Sequence, residues 1–387
     1  MNILFYTYYR SALDAAGGTE IATARVAHAL QQQGINTINC YFEDKTPGAS
    51  QSPFTASFRL SQRDTAKQLA NIINSNDIHA IFNEGDFFFH TTVTRAIKLS
   101  GRNIRHFFSL HFLPGSEMLR STFAALKQTA KTSRLNWTNT LRMALHPLFY
   151  ARKQWRLRQR YRAVYNDCEK VVLLSQSHVP LYQQFARIED QDRFIVIPNI
   201  IEPPQHATAK QHRVLVLSRM EEQYKRISMV FPIWQQAMSN TQSTNWQLDI
   251  VGDGPDLEQY KRICSEMALN NVTFHGWQNP QPFLQQSHIL IVTSRSEAFG
   301  MTIAEAQANG CVPIAFNSFP TAAELITDGN NGYLIPTFGD TATFAGRLAR
   351  LMDNDERRCR MSAQAQETSK KFSPAQVSQH WLNLLST

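Results

Sequence analysis

Two glutamates separated by seven residues, Glu297 and Glu305, bracket the segment of this chain with the clearest chemical meaning. An apolar run at residues 289–292 precedes them and predicts a buried strand, and residues 302–308 predict a helix. Gly300 lets a ligand approach the backbone, and the free N–H groups at a helix start favour an anion. The segment therefore offers one carboxylate in the loop before a phosphate-type site. The other lies about one turn inside the helix, where it can accept hydrogen bonds from sugar hydroxyls.

Two basic residues follow another predicted strand, at residues 214–218. Arg219 comes directly after this strand, and Lys225 lies on the loop or helix start beyond it. Fixed cations beside a helix dipole stabilise the negative charge that builds up on a leaving diphosphate. Exposed Arg and Lys are also common on any loop, so this observation supports the phosphate site without establishing it.

The Glu-x7-Glu segment closely resembles the signature of retaining glycosyltransferases with the GT-B fold, family 4. The resemblance covers nearly the whole chain and is strongest at residues 213–336. Further matches occur in the family's order: Gly17-Gly18-Thr19-Glu20, Pro198-Asn199, Arg219, Lys225, Gly252-Asp253-Gly254-Pro255 and Phe274-His275-Gly276. The family usually has its lysine five residues after the arginine. The spacing here is six, which makes Arg226 a rival to Lys225.

The resemblance implies roles for the residues of the signature. Glu305 would hold the ribose hydroxyls of a nucleotide sugar, and Glu297 would face the donor sugar. Arg219 and Lys225 would meet the leaving diphosphate. Backbone N–H groups would meet sugar or phosphate oxygens at four consecutive residues: Phe299, Gly300, Met301 and Thr302.

Weaker candidates stand outside the signature. The resemblance places Gly252 beside the nucleotide pocket, although a strand-to-helix turn explains this glycine as well. Trp277 follows a strand where the family binds the base edge; we expect its side chain to pack in the protein and its backbone to reach the base.

In the first half of the chain, the resemblance places Gly17 and Gly18, before a helix at about residues 19–32, across the cleft from the donor phosphates. His111 matches a cleft histidine that contacts the donor sugar, although a lone histidine after a strand is usually structural. For residues 84–86, Glu-Gly-Asp, we expect a solvated turn.

The charge of the chain is concentrated in one region. The formal net charge is +8, and residues 116–165 carry eleven Lys and Arg against the single acid Glu117. Apolar residues at helix-like spacing lie among these charges: Leu141, Leu145, Leu148, Phe149 and Trp155. Pro147 is expected to break or kink this helix. A basic amphipathic segment of this kind suggests contact with an anionic membrane surface. The alternative is a solvated helical hairpin that packs on the first domain.

Composition limits the cellular setting. No run approaches 18 apolar residues, so no transmembrane helix is predicted. We expect a cytoplasmic protein without a signal peptide, at most peripheral to the inner face of the cytoplasmic membrane. Five scattered cysteines indicate reduced thiols and no zinc-type spacing. No convincing Asp-x-Asp motif ends a strand, so no metal or other cofactor is expected, and no nucleic-acid partner is predicted.

The fold class predicted from alternating strands and helices is α/β, with two successive parallel sheets. The resemblance implies GT-B architecture, in which two Rossmann-like domains face across a cleft. We predict an acceptor domain at residues 1–200, joined by a crossover helix at 373–387. The nucleotide-sugar domain is predicted at residues 201–372.

The predicted activity is retaining, metal-independent hexosyl transfer from a nucleotide sugar to a glycan or lipid-linked acceptor, in polysaccharide or lipopolysaccharide synthesis. Two alternatives stay open: a GT-B sugar-nucleotide epimerase, and a non-catalytic sugar-nucleotide-binding protein. A dinucleotide dehydrogenase is disfavoured, because Gly-x-Gly-x-x-Gly is missing after the first strand. The sequence does not identify the sugar, the nucleotide or the acceptor. It also does not indicate the oligomeric state.

Overall fold

The protein is described from a computed structural model, which covers residues 1–15, 17–44, 52–85, 87–121, 146–204, 206 and 208–386. It divides into two compact units. Unit 1 contains Met1–Pro198 and Trp381–Thr387, and unit 2 contains Asn199–His380. The predictions made for Asp86, Leu141 and Leu145 concern residues outside the described ranges.

Unit 1 is built on a seven-stranded parallel sheet of order β3-β2-β1-β4-β5-β6-β7. Its strands are β1 (Asn2–Tyr6), β2 (Asn36–Tyr41), β3 (Ala56–Arg59), β4 (Ala80–Glu84), β5 (Arg105–Leu110), β6 (Lys170–Leu173) and β7 (Phe194–Val196). Its helices are α1 (Gly18–Gln31), α2 (Thr65–Ser75), α3 (His90–Ser100), α4 (His146–Asp167) and α5 (His178–Ala186). A 3-10 turn spans Ser116–Ser121.

Unit 2 is built on a six-stranded parallel sheet of order β10-β9-β8-β11-β12-β13. Its strands are β8 (Gln211–Leu217), β9 (Gln247–Val251), β10 (Val272–Gly276), β11 (Ser287–Val292), β12 (Val312–Phe316) and β13 (Tyr333–Ile335). Its helices are α6 (Glu222–Lys225), α7 (Val230–Asn240), α8 (Leu257–Glu266), α9 (Gln281–Gln286), α10 (Met301–Ala308), α11 (Pro320–Leu325), α12 (Thr341–Met352) and α13 (Asp355–Ser369). Helix α14 (Pro374–Ser386) runs from unit 2 into unit 1.

The predicted fold class, two parallel-sheet α/β units, is confirmed. The inner strands are buried along their length because helices pack on both faces of a parallel sheet. β3 was not predicted. Alternate residues of this short edge strand are exposed, so it lacks the continuous apolar run by which the other strands are recognised.

The end of helix α14 is fixed to unit 1. The Trp381 ring packs edge-on against Phe82, with 5.2 Å between ring centroids. Arg105 donates to the Leu385 carbonyl at 2.8 Å and to the Leu384 carbonyl at 3.0 Å. These bonds satisfy carbonyls that the last turn of a helix leaves without a partner.

The structure describes helix α4 from His146 onward. Residues 141–145, which precede Pro147 in the predicted helix, lie outside the described residues, so the break or kink expected at Pro147 stays a prediction. In the part of the chain that the structure describes, no helix is both long and apolar enough to cross a membrane.

Candidate active site

The loop between β11 and α10 carries the Glu-x7-Glu segment. Gly300 has φ +85°, a left-handed conformation that favours glycine, and it is the N-cap of α10. A Cβ atom there would lie 3.1 Å from Leu325 Cδ1, so the surrounding packing also favours glycine. The Gly300 carbonyl accepts from the Ile303 and Ala304 N–H groups. Its conformation therefore starts the helix, whose first N–H groups are suited to an anion.

Lys225 is brought to Glu297 by the fold of unit 2. Its Nζ lies 2.5 Å from Glu297 Oε1, and both side chains are mostly buried. Ser294 Oγ donates to the same carboxylate oxygen at 2.6 Å, and Thr293 Oγ1 donates to the Lys225 carbonyl at 2.9 Å. These contacts fix one cation beside the loop that leads to α10. Ser294 was not among the predicted site residues. Its position three residues before Glu297 could have indicated a hydroxyl within reach of that carboxylate.

Arg226, the rival basic residue, is held elsewhere. It has φ +51°, and its Nη1 lies 3.6 Å from Glu222 Oε1. Glu222 is itself held by Ser228 Oγ at 2.5 Å and by the Tyr260 hydroxyl at 3.0 Å. Of the two adjacent basic residues, Lys225 is therefore the one paired with Glu297.

Arg219 stands after the carboxyl end of β8, as predicted, and its side chain is 66% exposed. Its Nε lies 3.4 Å from Glu221 Oε2, a contact too exposed to hold the guanidinium tightly. Arg219 thus presents an accessible charge, whereas Lys225 presents a charge already paired.

Gly252 is required by the packing of two loops. Its φ is +137°, and a Cβ atom there would lie 1.8 Å from the Ser218 carbonyl oxygen. The turn after β9 approaches the end of β8 so closely that only glycine fits. This contact explains the glycine without a ligand.

Glu305 and Trp277 have opposite exposures. Glu305, on α10, is 8% exposed, as suits a carboxylate held inside a binding site. Trp277 is 59% exposed, so the expectation that its side chain packs in the protein is wrong. It follows Gly276, the end of β10, where the chain leaves the sheet. The neighbouring His275 instead packs inward and bonds buried Asp249 at 2.7 Å.

In unit 1, His111 is paired with Glu84. His111 Nε2 hydrogen-bonds Glu84 Oε2, and the Glu84 carboxylate also accepts from Ser109 Oγ at 3.1 Å and Thr23 Oγ1 at 3.3 Å. Glu84 is buried, so the expected solvated turn is wrong at this residue. β4 and β5 are parallel neighbours, and their carboxyl ends therefore bring Glu84 and His111 together. The carboxylate orients the imidazole and determines which ring nitrogen carries its proton.

Helix α1 supports the same cluster. Thr23 lies on α1, and Gly17 precedes its first residue, Gly18. Gly17 has an extended backbone, φ −105°, and a Cβ atom there would meet only the movable end of the Glu20 side chain. Neither backbone strain nor rigid packing demands glycine at position 17, and its place across from the donor phosphates stays a prediction.

Residues 200–368 match the family model described as glycosyl transferases group 1. This part of the chain is therefore similar to group 1 glycosyltransferases. The matched residues include Arg219, Lys225, Glu297 and Glu305. Unit 1 falls outside the matched residues.

Relatives and solved structures extend this comparison. The chain is 24% identical over 247 residues to a poly(glycerol-phosphate) alpha-glucosyltransferase of Bacillus subtilis, covering 61% of this chain and 36% of that protein. It is 30% identical over 168 residues to a lipopolysaccharide 1,6-galactosyltransferase of Salmonella typhimurium, covering 42% and 45%. The chain thus spans less than half the length of each of these relatives.

The fold of the chain resembles that of Anabaena HepE solved with UDP and glucose. The TM-score is 0.74 at 18% identity, over 100% of this chain and 99% of that one. The predicted GT-B architecture is confirmed by this likeness.

Proposed function

We propose that this chain is a glycosyltransferase that moves a hexose from a nucleotide sugar to a glycan or lipid-linked acceptor, with retention of anomeric configuration. The observation that carries the proposal is the Lys225–Glu297 pair beside the Gly300 helix start, inside the region similar to group 1 glycosyltransferases. A fixed cation and a helix start are the groups that a departing nucleoside diphosphate needs.

The proposed donor site uses groups of unit 2. Glu305 holds the ribose hydroxyls, and the backbone N–H groups of residues 299–302 meet sugar or phosphate oxygens. Arg219 and Lys225 stabilise the charge that grows on the diphosphate as the glycosidic bond breaks. Glu297 holds Lys225 and faces the donor sugar. Bond cleavage then gains from charges that are in place before the reaction begins.

The proposed acceptor unit is unit 1. His111, oriented by Glu84, contacts the reacting sugar. The acceptor hydroxyl attacks from the same face of the sugar that the phosphate leaves, and the leaving phosphate takes the proton of this hydroxyl. Support comes from the sequence, which offers no clear protein nucleophile, and from the Glu84–His111 pair.

The acceptor class follows from the relatives. One is named for poly(glycerol-phosphate) and another for lipopolysaccharide, so we propose a cell-surface glycan or glycolipid as the acceptor here. A cytoplasmic enzyme with such an acceptor gains from contact with an anionic bilayer. The exposed Leu148, Phe149 and Trp155 of α4, set among basic residues, are the groups proposed for that contact.

The experiment is a thermal-shift screen against a panel of nucleotide sugars, followed by turnover with the stabilising donor. One donor should raise the melting temperature, because a ligand that binds only the folded state stabilises it. That donor should then be consumed only when acceptor is present, and NMR should show the donor's anomeric configuration in the product. Consumption without acceptor would indicate the epimerase. Binding without turnover on any acceptor would indicate the non-catalytic alternative, and inverted product would contradict retention.

Transfer is proposed to need no metal, because Arg219, Lys225 and the helix start supply the positive charge. Activity measured directly after addition of EDTA should equal that of the untreated enzyme. Loss of transfer without loss of thermal stability, restored by magnesium or manganese, would contradict this proposal.

A further inference from the structure

A buried cluster of metal-binding side chains lies in unit 1, away from the residues discussed so far. His90 is the first residue of α3, His106 lies near the amino end of β5, and Cys168 directly follows α4. All three are buried, and their ligand atoms lie within 4.8 Å of one another. Side chains separated by 16 and 62 residues in the sequence thus meet at one point in the core.

Two ring nitrogens of this cluster have no partner within the part of the chain that the structure describes. They are His90 Nδ1 and His106 Nε2, both buried. A buried polar atom without a hydrogen bond is costly, and native proteins seldom contain one without a reason.

Asp167 gives His90 the geometry of a metal ligand. Its Oδ2 lies 3.0 Å from His90 Nε2, the ring nitrogen opposite the unpartnered Nδ1. A carboxylate that accepts a proton from one ring nitrogen leaves the other with a free lone pair. Metal-ligating histidines commonly have such a carboxylate partner.

We propose that His90 Nδ1, His106 Nε2 and Cys168 Sγ bind one Zn²⁺ ion in the core of unit 1. Imidazole and thiolate are both zinc ligands, and three protein ligands leave the fourth position of the tetrahedron to a water or hydroxide. Binding releases the Cys168 thiol proton to solvent, and the thiolate then forms the bond to zinc. Burial raises the pKa of the free thiol, and the cation offsets this effect.

The site is independent of the proposed function. His106 and His111 are five residues apart across an extended segment, or about 16 Å, so the cluster does not share the Glu84–His111 pair. The ion would join the start of α3, strand β5 and the connection from α4 to β6. It would therefore contribute to folding stability and not to sugar transfer.

The experiment uses the full chain, freed of metal by dialysis against a chelator and then titrated with Co²⁺. Cobalt in a site with a thiolate ligand gives a near-ultraviolet charge-transfer band. We expect this band to saturate at one equivalent and to disappear when Zn²⁺ is added. The chain as purified should contain about one zinc ion, and Zn²⁺ should raise the melting temperature of the metal-free form.

Cys168→Ser should lose the band. Cys264→Ser is the matched control, because Cys264 is also a buried free cysteine but lies in unit 2. His106→Asn supplies a second variant should Cys168→Ser not fold; it should weaken cobalt binding at least tenfold. Cys359→Ser removes the exposed thiol and should leave the band intact.

Absence of the band in the wild-type chain, or its persistence in Cys168→Ser, would overturn the proposal. So would a melting temperature that Zn²⁺ leaves unchanged. If the zinc proposal is wrong, the cobalt band is missing while the donor screen is unaffected; if the proposed function is wrong, no donor stabilises the chain while the cobalt band remains.

Discussion

In both units the candidate polar groups lie at or after the carboxyl ends of parallel strands. The units differ in how far apart these residues are in the sequence. In unit 2, Glu297, Gly300 and Glu305 belong to one continuous segment, and Arg219 and Lys225 come from the region after β8. In unit 1, Thr23, Glu84 and His111 come from α1, β4 and the end of β5. The compact segment can be read as a motif. The dispersed set becomes visible only when parallel strands place their carboxyl ends side by side.

The units also differ in how their cations are held. Lys225 is paired and mostly buried, Arg219 is exposed, and the arginines of α4 lie at the surface of unit 1. A paired, mostly buried charge is held in one position and suits a fixed role in the reaction. An exposed charge suits the reversible binding of a ligand or a membrane surface. Substitutions that separate these roles test the comparison.

The largest effect is expected in unit 2, from Arg219→Ala. Turnover should fall about 100-fold or more, with a smaller change in the donor Michaelis constant, because charge on the leaving phosphate grows towards the transition state. Steady-state kinetics with the preferred donor measures both constants. Arg262→Ala, which removes an exposed arginine of α8, is the matched control and should behave as wild type. If only the Michaelis constant changes, Arg219 binds the ground state alone.

The next effect concerns donor affinity. Glu305→Gln should weaken donor binding by about 1–3 kcal/mol, because charge-assisted hydrogen bonds to the ribose hydroxyls are lost. Calorimetric titration measures this change, with exposed Glu258→Gln as the control. Unchanged affinity in a folded Glu305→Gln chain would rule out the ribose contact and move the donor site away from α10.

A smaller effect is expected in unit 1. Glu84→Gln should lower turnover about 10-fold to 100-fold, because a misplaced imidazole loses alignment with the reacting sugar. The pH–rate profile of this variant should shift, and Glu84→Asp should restore part of the activity. A change in thermal stability alone, with the same pH profile, would mean that Glu84 only supports the fold.

The sequence predicted the strands of both sheets except β3, and the continuous part of the unit 2 site, because apolar periodicity and the Glu-x7-Glu spacing are local signals. It did not predict the environment of Glu84. Whether a residue at a strand end is solvated depends on its neighbours in the sheet, here Ser109 and His111 on the adjacent strand. The exposure of Trp277 is missed for the same reason.

The smallest effect tests the surface of α4. Leu148, Phe149 and Trp155 are exposed on this helix together with Arg152 and Arg156, which gives a face that is both apolar and basic. The arginines further along have other contacts: Arg158 donates to the Phe185 carbonyl at 3.0 Å, and Arg160 lies over the Phe88 ring. Substitutions at Arg152 and Arg156 therefore test membrane contact with the least damage to packing.

The chain should pellet with anionic vesicles, weakly with neutral ones, and less at high salt, because bound charges are screened. Each basic residue near an anionic surface adds about 1 kcal/mol at most, so the double variant Arg152→Gln and Arg156→Gln should weaken binding by up to about 30-fold. Trp155→Ser should weaken binding to anionic vesicles at every salt concentration, since it removes apolar contact instead of charge. Donor affinity should stay at the wild-type value in both.

The matched control replaces exposed Arg262 and Arg360 of unit 2 with glutamine, which removes the same charge from the other unit. If that control weakens pelleting equally, net charge and not the α4 face determines binding. Equal pelleting of the wild type with neutral and anionic vesicles, or no pelleting with either kind, would contradict the proposed contact. In that case α4 is a solvated helix and the acceptor reaches unit 1 from solution.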